Sequence, residues 1–99
     1  MVIKLERKAM KQKSISIKTP NGGSFSIGNN KDLAIIAGPC AIESYDHSMK
    51  MADLIGKICG KHKLNWIFKA CYDKDCRSSP DSFHGIGLED GLKILERVR

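Results

Sequence analysis

Leu33-Ala34-Ile35-Ile36-Ala37 is an unbroken apolar run, closed by Gly38-Pro39. A strand with one wet face alternates polar and apolar residues, whereas a run without alternation needs cover on both faces, as in a parallel sheet. A parallel partner requires a crossover, usually a helix. The chain supplies one directly: Ser44 and Asp46 carry helix-starting chemistry, and Met51, Ala52, Ile55, Ile58 and Cys59 then recur at helical spacing. Gly60 is the expected stop. A second strand is expected over 65–71, and a second helix from about Leu88, with Leu88, Gly91, Leu92, Leu95 and Val98 on one face. The pattern therefore predicts strands near 33–37 and 65–71, paired in parallel by a right-handed crossover, with helices near 46–59 and 88–98.

Ahead of this unit, Ser14-Ile15-Ser16-Ile17 and Ser24-Phe25-Ser26-Ile27 alternate around Pro20-Asn21-Gly22-Gly23. This predicts a hairpin with strands near 14–18 and 23–27. Hairpin, strand, helix, strand, helix is the order of an α/β architecture. Two parallel strands leave both edges of a small sheet open, and edges this apolar invite aggregation. The final pattern runs to Arg99 without a stop signal, so the sequence reads as the beginning of a larger protein.

The chain has 99 residues, enough for one small domain, and a net charge of +6. The excess is local. Residues 1–18 carry Lys4, Arg7, Lys8, Lys11, Lys13 and Lys18 against Glu6 alone. Residues 1–12 thus read as a basic extension and 13–99 as the folded part. Such a tail can hold nucleic acid or an acidic surface, but no aromatics interleave its lysines as single-strand binding requires. Nucleic acid is not an expected partner. No apolar stretch approaches the ~20 residues of a membrane span, and charges occupy the place of a secretory apolar core. A cytoplasmic protein is expected, with no membrane contact. The cysteines at 40, 59, 71 and 76 form no Cys-x-x-Cys pair, so free thiols are expected, with neither a disulfide framework nor a zinc motif.

Parity singles out one cation. In the stretch from Asn65 to Asp73, Trp66, Phe68, Ala70 and Tyr72 share one face, and Asn65, Ile67, Lys69, Cys71 and Asp73 the other. The aromatic face suits packing under helices, which sends Lys69 to the opposite side. There its ammonium needs an anion: a ligand, Asp73, or an acid later in the fold. The following polar loop, Asp73 to Ser79, lies at a strand's C-terminal end, where ligands bind in barrels and open α/β sheets. Lys74, Arg77 and the Ser78 hydroxyl are candidates to hold a phosphate. An ordinary charged loop is the alternative, since Asp73 and Asp75 neutralise two of its cations.

Ala37-Gly38-Pro39-Cys40-Ala41-Ile42-Glu43-Ser44 resembles the first-strand signature of the phosphoenolpyruvate-condensing 3-deoxy-sugar-acid synthases. Within them, Phe68-Lys69 through Leu95 is similar to the 3-deoxy-D-manno-octulosonate 8-phosphate synthases. Asp73, Lys74, Arg77, Ser78, Ser79, Ser82, Phe83, Gly85, Gly87, Leu88 and Glu89 match that pattern. The heptulosonate synthases share the first motif but not the Asp-Lys-x-x-Arg-Ser-Ser loop. Three positions depart from it: Asp75 and Cys76 stand where Ala-Asn is usual, and His84 stands where arginine is usual.

The resemblance implies a TIM (β/α)8 barrel, here its N-terminal β-hairpin and first two β/α units. It implies condensation of phosphoenolpyruvate with D-arabinose 5-phosphate, for lipopolysaccharide biosynthesis, by a homo-tetramer. It gives Lys69 and Lys74 to phosphoenolpyruvate and the loop with Arg77 and Ser78 to the sugar phosphate. Cys40 corresponds to the thiolate ligand of the metal-dependent class, which would bring a divalent cofactor. A complete barrel takes roughly 250 residues, so neither condensation nor tight metal binding is expected of these 99 alone. The alternative readings are a non-catalytic product of a truncated or decayed gene and, more weakly, a basic-tailed binding module.

Overall fold

The structure is a computed structural model that describes residues 13–74 and 79–99. It has two compact units, divided after Leu33. In the first, β1 (Ile15–Lys18) and β2 (Ser24–Ile27) pair antiparallel with Ile15 opposite Ile27 and Ile17 opposite Phe25. That register puts the apolar side chains on one face. Pro20 sets the start of the connecting turn, where the Gly22 amide donates to the Thr19 carbonyl (3.1 Å). Gly22 follows at φ 86°, a conformation that glycine adopts without a Cβ penalty.

The second unit is a β-α-β-α run: β3 (Ala34–Ala37), α1 (Tyr45–Lys61), β4 (Asn65–Phe68) and α2 (Leu88–Val98). β3 and β4 pair in parallel, Ala34 with Asn65 through Ala37 with Phe68, as the unalternating run predicts. The regular ladder is shorter than expected, stopping at Phe68 instead of Cys71. Beyond it the Lys69 amide donates to the Ala37 carbonyl (3.2 Å), and Ala41 makes an isolated parallel bridge with Cys71. Gly38 explains the tight junction. A Cβ there would lie 1.8 Å from the Lys69 carbonyl oxygen.

Ser44 caps α1, its hydroxyl accepting from the His47 amide (3.1 Å), with Asp46 in the first turn. Gly60 is not the stop: it lies inside the helix, which runs on to Lys61. Lys63 ends it, at φ 52°. The Lys63 amide reaches back to Gly60 and the Leu64 amide to Cys59 (2.9 Å). These are the paired bonds of a Schellman motif, usually completed by glycine at the left-handed position.

Both helices pack with stripes slightly rotated from the expected ones. On α1 the inward line runs through Ser48, Ala52, Ile55 and Cys59, leaving Ile58 59% exposed. On α2 it runs through Gly91, Ile94, Leu95 and Val98, leaving Leu88 and Leu92 exposed. Among the described residues only Ala41, Ile42, Ser48, Cys59 and Gly91 are buried, so the core is thin. Large apolar groups remain at the surface, including Leu33 (76%) and Ile36 (62%). Among the described residues no helix is long and apolar enough to cross a membrane.

Two substitutions test this account. Gly38→Ala should destabilise the chain by about 2 kcal/mol or more, because backbone must move to admit the methyl group. Urea denaturation with amide exchange at Lys69 will show it, and an unchanged midpoint would refute the close approach. Lys63→Gly should stabilise by about 1 kcal/mol by relieving left-handed strain at the helix end. A lower thermal midpoint would contradict that assignment.

Candidate functional site

Parity along β4 is realised in packing. The Trp66 ring lies against α1, close enough that a Cβ on Gly56 would come within 3.2 Å of it. Its indole N–H donates to the Ala37 carbonyl (3.0 Å), tying the ring to β3. Phe68 meets Trp66 edge-to-face with centroids 6.0 Å apart. Tyr72 continues the same side, where it packs on α2: a Cβ on Gly91 would fall 2.5 Å from the Tyr72 Cβ. The aromatic face is thus the helix face.

Lys69 is the first residue beyond β4 and is exposed. Its backbone is fixed by the Ala37 and Gly38 contacts. Among the described residues no ion pair engages its ammonium, and the Lys69–Asp73 pair weighed from the sequence does not form. The cation is left for a ligand or for residues outside those described.

Cys40 follows β3 directly, in the bend before the Ala41–Cys71 bridge, and is exposed. The ends of β3 and β4 that carry Cys40 and Lys69 are therefore neighbours. The chemistry of the donor set does not complete a metal site. A structural or catalytic divalent ion usually takes three or more protein ligands, and among the described residues no group of three or more His, Cys, Asp or Glu side chains gathers to hold one.

Lys74 is half-buried, and its carbonyl accepts a hydrogen bond from His84 Nδ1. Arg77 and Ser78, with Asp75 and Cys76, lie outside the described residues. The sequence pattern does not show what holds the Lys74 backbone. The Gly87 amide donates to the Tyr72 carbonyl (3.1 Å), and Gly85 at φ 126° passes so near that a Cβ would lie 2.1 Å from the same oxygen. Residues 84–91 clasp residues 72–74. The signal for this was the glycine spacing itself: Gly85 and Gly91 carry no side chain where the two segments approach, and Gly87 takes a positive φ as its amide turns to Tyr72.

The DAHP synthetase I family model matches residues 6–99. Among curated proteins, the chain is similar to the 2-dehydro-3-deoxyphosphooctonate aldolase of Synechococcus sp., 46% identical over 86 residues, which are 87% of this chain and 30% of that protein. The aldolase of the same name from Cyanothece sp. is 51% identical over 75 residues, 76% of this chain and 28% of its own length. That of Koribacter versatilis is 54% identical over 72 residues, 73% of this chain and 26% of its own length. The chain spans less than a third of the length of these relatives. A family match over nearly every residue, together with identities of this size, leaves one assignment: the chain belongs to the DAHP synthetase I family.

Proposed function

We propose that this chain supplies the hairpin and first two β/α units of a cytoplasmic 3-deoxy-D-manno-octulosonate 8-phosphate synthase, a TIM-barrel enzyme that is a homo-tetramer when complete. Three observations support the reading. The curated relatives above carry the aldolase name. The Asp73-Lys74-x-x-Arg77-Ser78-Ser79 loop separates the octulosonate-phosphate pattern from that of the heptulosonate synthases. The parallel β3–β4 pair has no further strand on either edge among the described residues, and Leu33 and Ile36 are exposed beside it. Sheet edges and apolar surface of this kind call for more strands and helices.

The observation that carries the reaction is Lys69. Its backbone stands at the C-terminal end of a parallel strand, held against Ala37 and Gly38, and its exposed side chain has no carboxylate partner among the described residues. In the proposed reaction C3 of phosphoenolpyruvate attacks the aldehyde of D-arabinose 5-phosphate. Water then adds to the cationic C2, and the C2–phosphate bond breaks to release inorganic phosphate. Both substrates are anions, so bringing them together costs Coulomb energy unless cations surround them. Lys69 and Lys74 hold phosphoenolpyruvate, and Arg77 with Ser78 receives the sugar phosphate. Cations carried on a held backbone stabilise the charge that develops in the transition state. Cys40 would supply one thiolate to a divalent ion, and the described residues do not provide the remaining ligands.

Two cations and one loop do not hold two phosphorylated substrates in register. The 99-residue chain alone should therefore release no phosphate from phosphoenolpyruvate in the presence of arabinose 5-phosphate. A chimera joining residues 13–99 to the remainder of the Synechococcus relative should release it only with both substrates. In that chimera Lys69→Ala should lower the rate about a hundred-fold or more. Phosphate release by the chain alone would refute the incomplete-site reading. A folded but inactive chimera would refute the functional one.

A further inference from the structure

The backbone around His84 is constrained before its side chain is considered. Gly85 runs within touching distance of the Tyr72 carbonyl in a conformation that L side chains rarely adopt, and the Gly87 amide bonds that same oxygen. The Cα of His84 is thereby held beside the 72–74 segment. From there its half-buried ring reaches the Lys74 carbonyl, with Nδ1 and the oxygen 2.5 Å apart. A carbonyl only accepts, so the proton of this bond sits on Nδ1. The bond closes a ten-residue separation at the residue that presents the second of the two lysines.

We propose that His84 is a positioning residue: its Nδ1–H fixes the Lys74 backbone so that the Lys74 side chain is preorganised to bind the phosphate of phosphoenolpyruvate. This rests on the functional reading above. His84 stands where the octulosonate-phosphate pattern carries arginine, and its bond holds the Lys74 backbone without that longer side chain. Both side chains donate, and histidine donates at shorter reach. Fixing the backbone beforehand removes an ordering cost that binding would otherwise meet.

The test uses the full 99-residue chain and phosphoenolpyruvate, with affinity followed by NMR at the Lys74 amide. His84→Ala should weaken binding roughly fivefold, the worth of one ordinary hydrogen bond, and speed amide exchange around Lys74. His84→Asn, whose amide carries an N–H near the Nδ1 position, should restore most of it. Ring nitrogen shifts of His84 in alkaline solution should show the Nδ1–H tautomer. An Nε2–H ring, or an alanine variant that binds as wild type does, would overturn the positioning role. If His84→Ala does not fold, His84→Gln takes its place, since its N–H sits at the wrong reach: weaker binding supports the role and unchanged binding overturns it. If the wild-type chain binds no phosphoenolpyruvate, the same variants are compared in the chimera of residues 13–99 with the remainder of the Synechococcus relative; a folded chimera that binds none overturns the functional reading, and the role of His84 falls with it.

Discussion

The organisation of the second unit depends on one close approach, the backbone of Gly38 against the carbonyl of Lys69. Parallel strands normally keep about 4.8 Å between them, and side chains diverge to the two faces. Here β3 leaves its ladder at Gly38-Pro39 while β4 leaves at Lys69, and the two remain in contact because one has no side chain. The Ala37 carbonyl is used twice at this junction, by the Lys69 amide and by the Trp66 indole. The first bond sets where Lys69 starts, and the second sets the aromatic face. Together they tie the end of β4 to the end of β3.

The same device recurs one step further along the chain. Gly85 and Gly91 admit Tyr72 and its carbonyl as Gly38 admits Lys69, and the Gly87 amide bonds that carbonyl. The α2 segment is consequently joined to the end of β4 by backbone and by an aromatic ring more than by a wide apolar seam. This suits a thin core. With Ala41, Ile42, Ser48, Cys59 and Gly91 as the buried residues among those described, hydrophobic burial alone gives little specificity. Close backbone contacts at glycine supply it.

Most of the secondary structure was legible in the sequence because it rests on periodicity. The Leu33–Ala37 run required a parallel partner, and alternation around Pro20-Asn21-Gly22-Gly23 required a hairpin. Both are present. The errors fall where tertiary geometry overrides local preference. Gly60 looked like a helix stop, yet the left-handed turn fell on Lys63, where the Leu64 and Lys63 amides find their acceptors. Ile58, Leu88 and Leu92 looked like core at helical spacing, yet they stay exposed: α1 turns Ser48 inward beside the expected Ala52, Ile55 and Cys59, and α2 turns Ile94 inward beside the expected Gly91, Leu95 and Val98. Near the site, the packing of Trp66, Phe68 and Tyr72 on the helix side was legible from parity alone. The His84–Lys74 bond was not, because it joins residues ten apart through a loop with no repeating pattern.

The central claim is that the phosphoenolpyruvate site of this chain is built on Lys69 and Lys74 and not on the basic N-terminal stretch. The most direct measurement is NMR of the chain with its lysines carrying 13C-methyl groups, titrated with phosphoenolpyruvate at moderate salt. The account predicts saturable shifts confined to Lys69 and Lys74. Shifts centred on Lys4, Lys8, Lys11 and Lys13, growing weaker as salt rises, would contradict it.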